Sequence, residues 1–262
     1  MDYLALRQQS IVVANDIIQK GRFNLSAKGL KILFYLLAQI TPQDTELREC
    51  EIDLANFCKF CGVSIGGMQR SELEDALERL EYPWKVRYSD NRSVSLAWSR
   101  GFELDPNTNK LIVTLDQRLK PYLLQLRANF TQSEIIYLLS FKSKYAIRLY
   151  LLVKSIHYKE LESYTREIPI DQLKQSIGAE SYTAFRDFHS RAIKPSVAEI
   201  NQCSDKILSY ELVKNGRSVV AIKFTIKTKD AMDRLKLVDQ IEKRLGTEQI
   251  SIFDQLEDHK DS

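Results

Sequence analysis

The sequence predicts an α+β protein in which one module of three helices and a β-hairpin occurs twice. The segment 51–62 aligns without gaps on the segment 167–178, at an offset of 116 residues. The same offset places the apolar pair at 76–77 on the apolar pair at 192–193. Because separate segments align at the same offset, the sequence indicates a duplicated unit.

Each copy opens with an amphipathic helix. Ser26 is placed to cap a helix that extends to Ile40, and Ser143 is placed to begin a helix that extends to about His157. Apolar residues recur every three or four positions in both segments, as they do in a helix with one buried face.

A short strand and two further helices follow in each copy. The strands are expected around Ile52 and Ile168. Gly62 and Gly178 stand where the first of these helices would end in a left-handed residue. The predicted helices are 54–61 and 68–80 in the first copy and 170–177 and 182–201 in the second. Pro195 is expected to kink or divide the last of them.

Each copy closes with a β-hairpin. In the second copy, the alternating segments 207–214 and 217–227 flank Asn215-Gly216, a preferred type I′ turn. The strands of the first copy are predicted at 84–88, at 92–98 and, as a possible third strand, at 111–115. This order of elements predicts tandem winged-helix domains, in which the last helix enters the DNA major groove and the hairpin is the wing.

The chain of 262 residues suits two domains of ordinary size. We expect a first domain at 1–132, a second at 133–229 and an acidic, flexible tail at 230–262. No apolar run approaches the ~20 residues that span a bilayer. The first residues lack the layout of a signal peptide, so a cytoplasmic protein without membrane partners is expected.

The net charge of +3 is distributed unevenly along the chain. Residues 1–140 carry 17 basic and 17 acidic side chains, whereas residues 141–229 carry 16 and 9, and residues 230–262 carry 5 and 9. The basic second domain favours a polyanion such as nucleic acid as its partner. A solvated basic surface is the alternative.

The two copies differ in charge on the predicted recognition helix. Asp75 and Glu78 flank the apolar pair in the first copy, while Arg191 and Lys194 flank it in the second. Carboxylates repel phosphates and basic groups attract them, so the second copy is expected to read DNA. An ordinary solvated helix face is again the alternative. The predicted contacts of this copy, on the helix, the first-helix start and the wing tip, are Lys142, Lys144, Arg186, Ser190, Arg191, Lys194, Lys214, Asn215 and Arg217.

The first copy has two possible roles. Gln69 and Arg70 begin its long helix, where groove contact usually occurs, and Arg92 lies near the predicted wing tip. Trp84 and Trp98 in the same region equally suit a self-association surface. Both roles stay open.

No pattern of catalytic or metal-binding residues is evident. Cys58-x-x-Cys61 has zinc-ligand spacing, but a structural zinc site needs four ligands, and the three histidines are scattered. The chain lacks the Gly-rich phosphate loop of nucleotide-binding proteins. We therefore expect no metal, no cofactor and no enzymatic activity.

The chain resembles the iteron-binding plasmid replication initiator (Rep) family over about residues 10–228. The segments that carry the resemblance are 12–16, 140–150, 182–185 with Phe188, 197–201, 214–217 and 222–224. Arg191 and Lys194 match the recognition-helix positions of the family, whereas His189 stands where some relatives carry Arg.

The resemblance implies that monomers bind direct repeats (iterons) in double-stranded DNA at a plasmid origin, help to open it and recruit the host initiator and helicase. It also implies that dimers, joined through the first domain, repress the initiator's own gene at an inverted repeat. The second domain would make the main major-groove contacts. A winged-helix transcriptional repressor without a replication role is the alternative.

The tail contains a possible partner motif. Residues 231–245 are expected to form a short helix that Gly246 ends. The pentapeptide Gln249-Ile250-Ser251-Ile252-Phe253 resembles the motif that binds the bacterial sliding clamp, which requires alternate anchors on an extended strand. The alternative is a tail that packs back on the domain.

Overall fold

A computed structural model describes residue 5 and residues 7–41, 43–61, 70–88, 90–105, 110–156 and 162–257. For residues 70, 71 and 246–257 it describes the backbone alone. Of the residues predicted above, Gly62, Gln69 and His157 lie outside this description.

Both halves of the chain contain a helix, a strand, two further helices and a hairpin, in that order. The elements of the first half are β1 (Ser10–Ala14), α1 (Asn15–Lys20), β2 (Gly21–Arg22), α2 (Ala27–Ala38), β3 (Cys50–Asp53), α3 (Leu54–Cys61), α4 (Arg70–Glu81), β4 (Trp84–Arg87), β5 (Ser93–Leu96), β6 (Ser99–Asp105), β7 (Lys110–Leu115) and α5 (Lys120–Leu123).

The second half adds a long final helix. Its elements are β8 (Phe130–Glu134), α6 (Ile135–Ser140), α7 (Lys144–Ile156), β9 (Ser163–Pro169), α8 (Ile170–Ile177), α9 (Phe185–Phe188), a π-helical turn (His189–Ile193), α10 (Lys194–Cys203), β10 (Lys206–Asn215), β11 (Ser218–Thr228) and α11 (Ala231–Glu257).

Sheet topology confirms the duplication. In the second half the strand before the helix-turn-helix, β9, pairs with the second hairpin strand, and the sheet order is β10–β11–β9. In the first half β3 pairs with β7 in the same way, and the order is β3–β7–β6. Helices α3 and α8 stand at the predicted offset of 116 residues. The prediction of two winged-helix modules in an α+β fold is therefore confirmed.

The predicted wing of the first module was wrong. The predicted strands at 84–98 exist as β4 and β5, but they pair with β2 in a separate sheet of order β2–β4–β5. The strand at 111–115 belongs to the true wing, where β7 pairs with β6. The error arose because alternation identifies a hairpin but not its partner strand, and the first module carries an additional hairpin between its recognition helix and its wing.

The two modules are joined by an antiparallel strand pair that precedes both first helices. Strand β1 pairs with β8 about a centre at Val12 and Gln132, and a short helix follows each strand. An antiparallel strand pair has local two-fold symmetry. Strand β1 with helix α1 therefore leads into the first module from one side of the pair, and β8 with α6 leads into the second module from the other side. The predicted domain boundary at residue 132 lies within β8, and the domain limits stay a prediction.

Local capping follows the sequence. The Ser26 hydroxyl accepts a hydrogen bond from the Gly29 amide (3.0 Å) and so caps α2. Gly178 ends α8 with a φ of 70°, a left-handed backbone conformation that glycine adopts without steric cost because it has no Cβ.

Arg148 on α7 joins the two modules. Its buried guanidinium donates to the carbonyl oxygens of Ser176 (3.0 Å), Gly21 (3.0 Å) and Phe23, and it lies 4.3 Å from the centre of the Phe23 ring. A Cβ at Gly178 would stand 2.8 Å from Arg148 Nη1, so this turn also leaves room for the arginine. Burial lowers the pKa of Arg148 to about 10, and the group stays charged at neutral pH.

The predicted end of the final helix was also wrong. Helix α11 continues through position 246 to Glu257, because a single glycine costs an α-helix only about 1 kcal/mol. Leu237, Ile241 and Leu245, spaced at four residues, are buried against the rest of the chain. Glu242 pairs with buried Arg7 (3.2 Å). The part of α11 from Leu237 to Leu245 therefore packs on the rest of the chain, and the flexibility of the tail beyond it stays a prediction.

No helix in the described ranges has the length and apolarity needed to cross a membrane.

Candidate nucleic-acid interface

The predicted recognition helix is a helical segment in three parts. It runs from Phe185 to Cys203 as α9, the π-helical turn and α10. The Lys194 amide donates to the His189 carbonyl, five residues back, and Pro195 occupies the start of α10. Because proline has no amide proton, a change of bonding pattern beside it is expected. The predicted interruption at Pro195 is confirmed.

One face of this segment is polar and exposed. Phe188, Ala192 and Ile193 are fully buried, whereas Phe185 is only half-buried and stacks on His189 at 5.5 Å. The exposed face contains four of the predicted contacts, Arg186, Ser190, Arg191 and Lys194. The structure therefore brings them to one solvent-facing surface.

The corresponding helix of the first module, α4, carries the opposite charge on its exposed face. On α4 the apolar pair at 76–77 is buried, and Asp75 and Glu78 on either side are exposed. Arg191 and Lys194 occupy the matching exposed positions of the second module. The buried framework is thus shared, and the solvent-facing charge is opposite.

Side chains from the second module hold the recognition segment in place. Lys174 on α8 donates to the Tyr182 carbonyl (2.7 Å), and its ammonium lies 5.5 Å from the centre of the Phe188 ring. The carboxamide of Asn201 donates to the Leu208 carbonyl (2.9 Å) and accepts from the Leu208 amide (2.6 Å). Through this exchange α10 is fixed to the first wing strand.

His189 makes a second link between helix and wing. Its Nε2 lies 2.7 Å from the Tyr210 hydroxyl on β10, and its ring stacks on Phe185. The His189 side chain thus positions the helix against the wing.

The wing tip is fully exposed, but its turn differs by one residue from the prediction. Asn215 pairs with Ser218, so Gly216 and Arg217 form the two-residue turn, with Gly216 at φ 60°. A register shift beside Lys214 accounts for the change, because it adds one residue to the returning strand. Lys214 and Arg217 still stand at the tip, as predicted.

The start of α7 is bound to the recognition segment through Glu199. This carboxylate on α10 accepts from the amides of Lys142 and Ser143 (3.3 Å for Ser143). The Lys142 side chain is exposed, whereas the Lys144 ammonium donates to Asn24 of the first module (2.9 Å). Contact of Lys144 with phosphate would require it to exchange this bond.

A buried ionic network supports the wing base. The Tyr150 hydroxyl donates to Asp205 (2.7 Å), and Lys206 lies 3.1 Å from the same carboxylate. Burial alone would raise the pKa of Asp205, but Lys154, Lys206 and the tyrosine bond together lower it. The group is therefore an anion at neutral pH.

A family described as "Initiator Replication protein, WH1" matches residues 10–154, more than half of the chain, and "Initiator Rep protein, WH2" matches residues 169–226. The chain belongs to the initiator replication protein family. It is also similar to the Pi initiator protein, solved in complex with iteron DNA, with a TM-score of 0.72 and 16% identity over 86% of this chain and 99% of that chain. This likeness shows the tandem winged-helix fold.

The first module of this chain offers fewer candidate contacts. Arg70 is the first residue of α4, and its side chain is not described. Arg92 lies at the tip of the additional hairpin rather than at the wing tip, and it pairs with Asp90 (2.6 Å). Trp84 and Trp98 are only 4% and 2% exposed and therefore belong to the core rather than to a surface, while self-association through the first module stays a prediction.

The four cysteines of the chain are buried and free of disulfides. Burial raises the pKa of Cys61 to about 12, so this thiol is protonated at neutral pH. Within the described ranges no three His, Cys, Asp or Glu side chains converge as metal ligands do. The absence of a metal stays a prediction.

Sequence patterns had not identified Glu199, His189 and Lys174 as positioning residues. Each acts through a contact with a residue 8 to 57 positions away, and periodicity contains no information about such partners. The available signal was Glu199, one of two acidic residues, with Asp187, on an otherwise basic helical segment.

Proposed function

We propose that this chain is a plasmid replication initiator that binds double-stranded DNA mainly through its second winged-helix domain. The exposed face of the recognition segment would enter the major groove. Arg191 would read a base edge, since arginine can hold guanine through two hydrogen bonds. The wing tip and Lys142 would bind phosphates.

The charge reversal carries this proposal. A winged-helix module whose recognition helix presents Asp75 and Glu78 repels the DNA backbone, whereas the other module presents Arg191 and Lys194 on the same framework. Membership of the initiator family supports the same reading, and it supports replication over gene repression alone.

The family resemblance extends the proposal to an origin. Monomers would bind phased direct repeats (iterons), help to open the duplex and recruit the host initiator and helicase in the cytoplasm. Dimers joined through the first domain would repress the initiator's own gene. The proposal includes no catalytic step.

Footprinting on the DNA that flanks the chain's own gene tests this function. Protected direct repeats spaced by whole helical turns are expected. A single protected inverted repeat, with no ability to sustain a plasmid, would instead establish the repressor alternative.

The sliding clamp is a further proposed partner. The residues Gln249, Ile250, Ser251, Ile252 and Phe253 lie within the helical backbone of α11, so the segment would have to unwind to present alternate side chains. A peptide of residues 246–258 should bind the clamp, and Phe253→Ala should weaken it. Equal binding by both peptides, or none by either, would reject the motif.

A further inference from the structure

The small sheet β2–β4–β5 has one buried and one polar face. Trp84, Val86 and Leu96 are buried and face the core. Strand pairing places Arg22 beside Lys85, and Arg87 beside Ser93, on the opposite side. The basic face is the set of outward side chains of this sheet, Arg22, Lys85, Arg87, Ser93 and Ser95.

The charge of the basic face is not neutralised by neighbours. Among the described residues Lys85 and Arg87 are exposed and have no ion-pair partner, whereas Arg92 at the hairpin tip is paired with Asp90. The outward face of the other sheet in the same domain is acidic. It carries Glu51, Asp53, Glu103, Asp105, Lys110 and Ile112. Of these two sheets of the first domain, β2–β4–β5 thus carries the basic outward face and β3–β7–β6 the acidic one.

The basic face adjoins the proposed DNA-binding domain. Arg22 donates to the carboxamide oxygen of Gln175 on α8, the first helix of the helix-turn-helix. Asn24, two residues beyond, accepts from Lys144 at the start of α7 (2.9 Å). Burial, together with the positive charges of Arg148 and of exposed Arg79 on α4, lowers the pKa of Lys144, and the charge of Glu180 opposes this shift. Basic groups therefore continue across the junction of the two domains.

We propose that the basic face binds the DNA phosphate backbone at the junction of the two domains, as a contact outside both helix-turn-helix units. This inference rests on the proposed DNA binding of the second domain. A duplex held by the second domain and extending toward the first would carry its backbone past the junction. Arginine, lysine and serine, the residues of this face, are among the side chains that bind phosphate oxygens in protein–DNA complexes.

The composition of the basic face favours DNA over a second copy of the chain. Interface cores between proteins are rich in aromatic residues, methionine and arginine and depleted in lysine and serine, and three of the five residues of the basic face are lysine or serine. The basic face presents none of the large exposed apolar side chains of the described chain. The acidic sheet of another copy is nevertheless complementary in charge, and the experiment includes it as an outcome.

The test compares the full-length chain with the double variant Lys85→Ala/Arg87→Ala. Affinity for a duplex with the footprinted site, and for an unrelated duplex, is measured from 50 to 200 mM salt. Because each phosphate contact contributes about 0.9 to the slope of log K against log salt, the double variant should lower the slope by about 2 on both duplexes. Ethylation interference should lose signals at the phosphates beside the main site. Lys243→Ala on α11, with a side chain 74% exposed, is the matched control and should keep the slope.

An unchanged slope in the double variant, with DNA binding intact in the unmodified chain, would overturn the inference while leaving the proposed function in place. If the slope is unchanged and sedimentation shows weaker self-association, the basic face binds a second copy instead. No DNA binding by the unmodified chain would reject the proposed function itself. Circular dichroism and the thermal midpoint should match the unmodified chain, since both side chains are exposed.

Discussion

Replacing Arg148 by alanine should uncouple the two domains. The buried guanidinium serves three carbonyl oxygens, those of Ser176 in the second domain and of Gly21 and Phe23 in the first. A buried acceptor left without a donor costs about 1–3 kcal/mol. The cost of burying the charge, which the variant no longer bears, offsets part of this loss. We expect the free energy of unfolding to fall by about 3 kcal/mol, the low end for three acceptors.

Urea unfolding followed by two probes measures both the loss and the uncoupling. Trp84 and Trp98, the two tryptophans of the chain, lie in the first domain and within 5.3 Å of the Phe23 ring centre, so fluorescence reports on that domain. Far-ultraviolet circular dichroism reports on both domains. The two transitions should coincide in the unmodified chain and separate in Arg148→Ala.

A matched control is Arg166→Ala, at an exposed position of β9, which should change the free energy of unfolding by less than about 0.5 kcal/mol. If Arg148→Ala costs no more than this control and its two transitions still coincide, the guanidinium does not join the domains.

Three further predictions concern the second domain and the final helix. Tyr210→Phe removes the hydrogen bond to His189 and should lower the free energy of unfolding by about 1 kcal/mol. DNA binding should weaken while the slope of log K against log salt stays the same. A lower slope would indicate that the Tyr210 hydroxyl contacts phosphate instead. Asp205→Asn should destabilise the chain at neutral pH. Because the folded-state pKa of Asp205 is lowered, its contribution is present above the unfolded pKa of about 3.9 and is lost as pH falls through the folded value, so the two unfolding curves should converge in acid. Ile241→Ala should cost about 2–4 kcal/mol in thermal or urea unfolding, and a loss below 0.5 kcal/mol would mean that α11 is not packed.

Local and periodic features were predictable from the sequence. The Ser26 cap, the left-handed Gly178 and the buried face of the recognition segment follow from short-range rules that involve a few neighbouring residues. The exposed charges at positions 191 and 194 follow from the same helical spacing, because the buried pair between them fixes the phase of the helix.

Features that depend on distant pairing were not predictable. Alternation at 84–98 identified a hairpin, but β7 rather than β5 pairs with β3, and that choice is made by packing across the domain. The packing of α11 on the rest of the chain could not be predicted either, because Glu242 pairs with Arg7, 235 residues earlier in the sequence. Arg148 stands in an otherwise apolar helix face, and this was the one local sign of the domain junction.

The most direct test of the central claim is base discrimination by the second domain. Affinities of the unmodified chain and of Arg191→Ala are measured for the footprinted site and for variants substituted at each base pair. If Arg191 reads a base, one position should lose about 1–3 kcal/mol of discrimination in Arg191→Ala, while the other positions and Arg166→Ala keep theirs. Full discrimination at every position in Arg191→Ala would contradict the assignment of DNA reading to this helix.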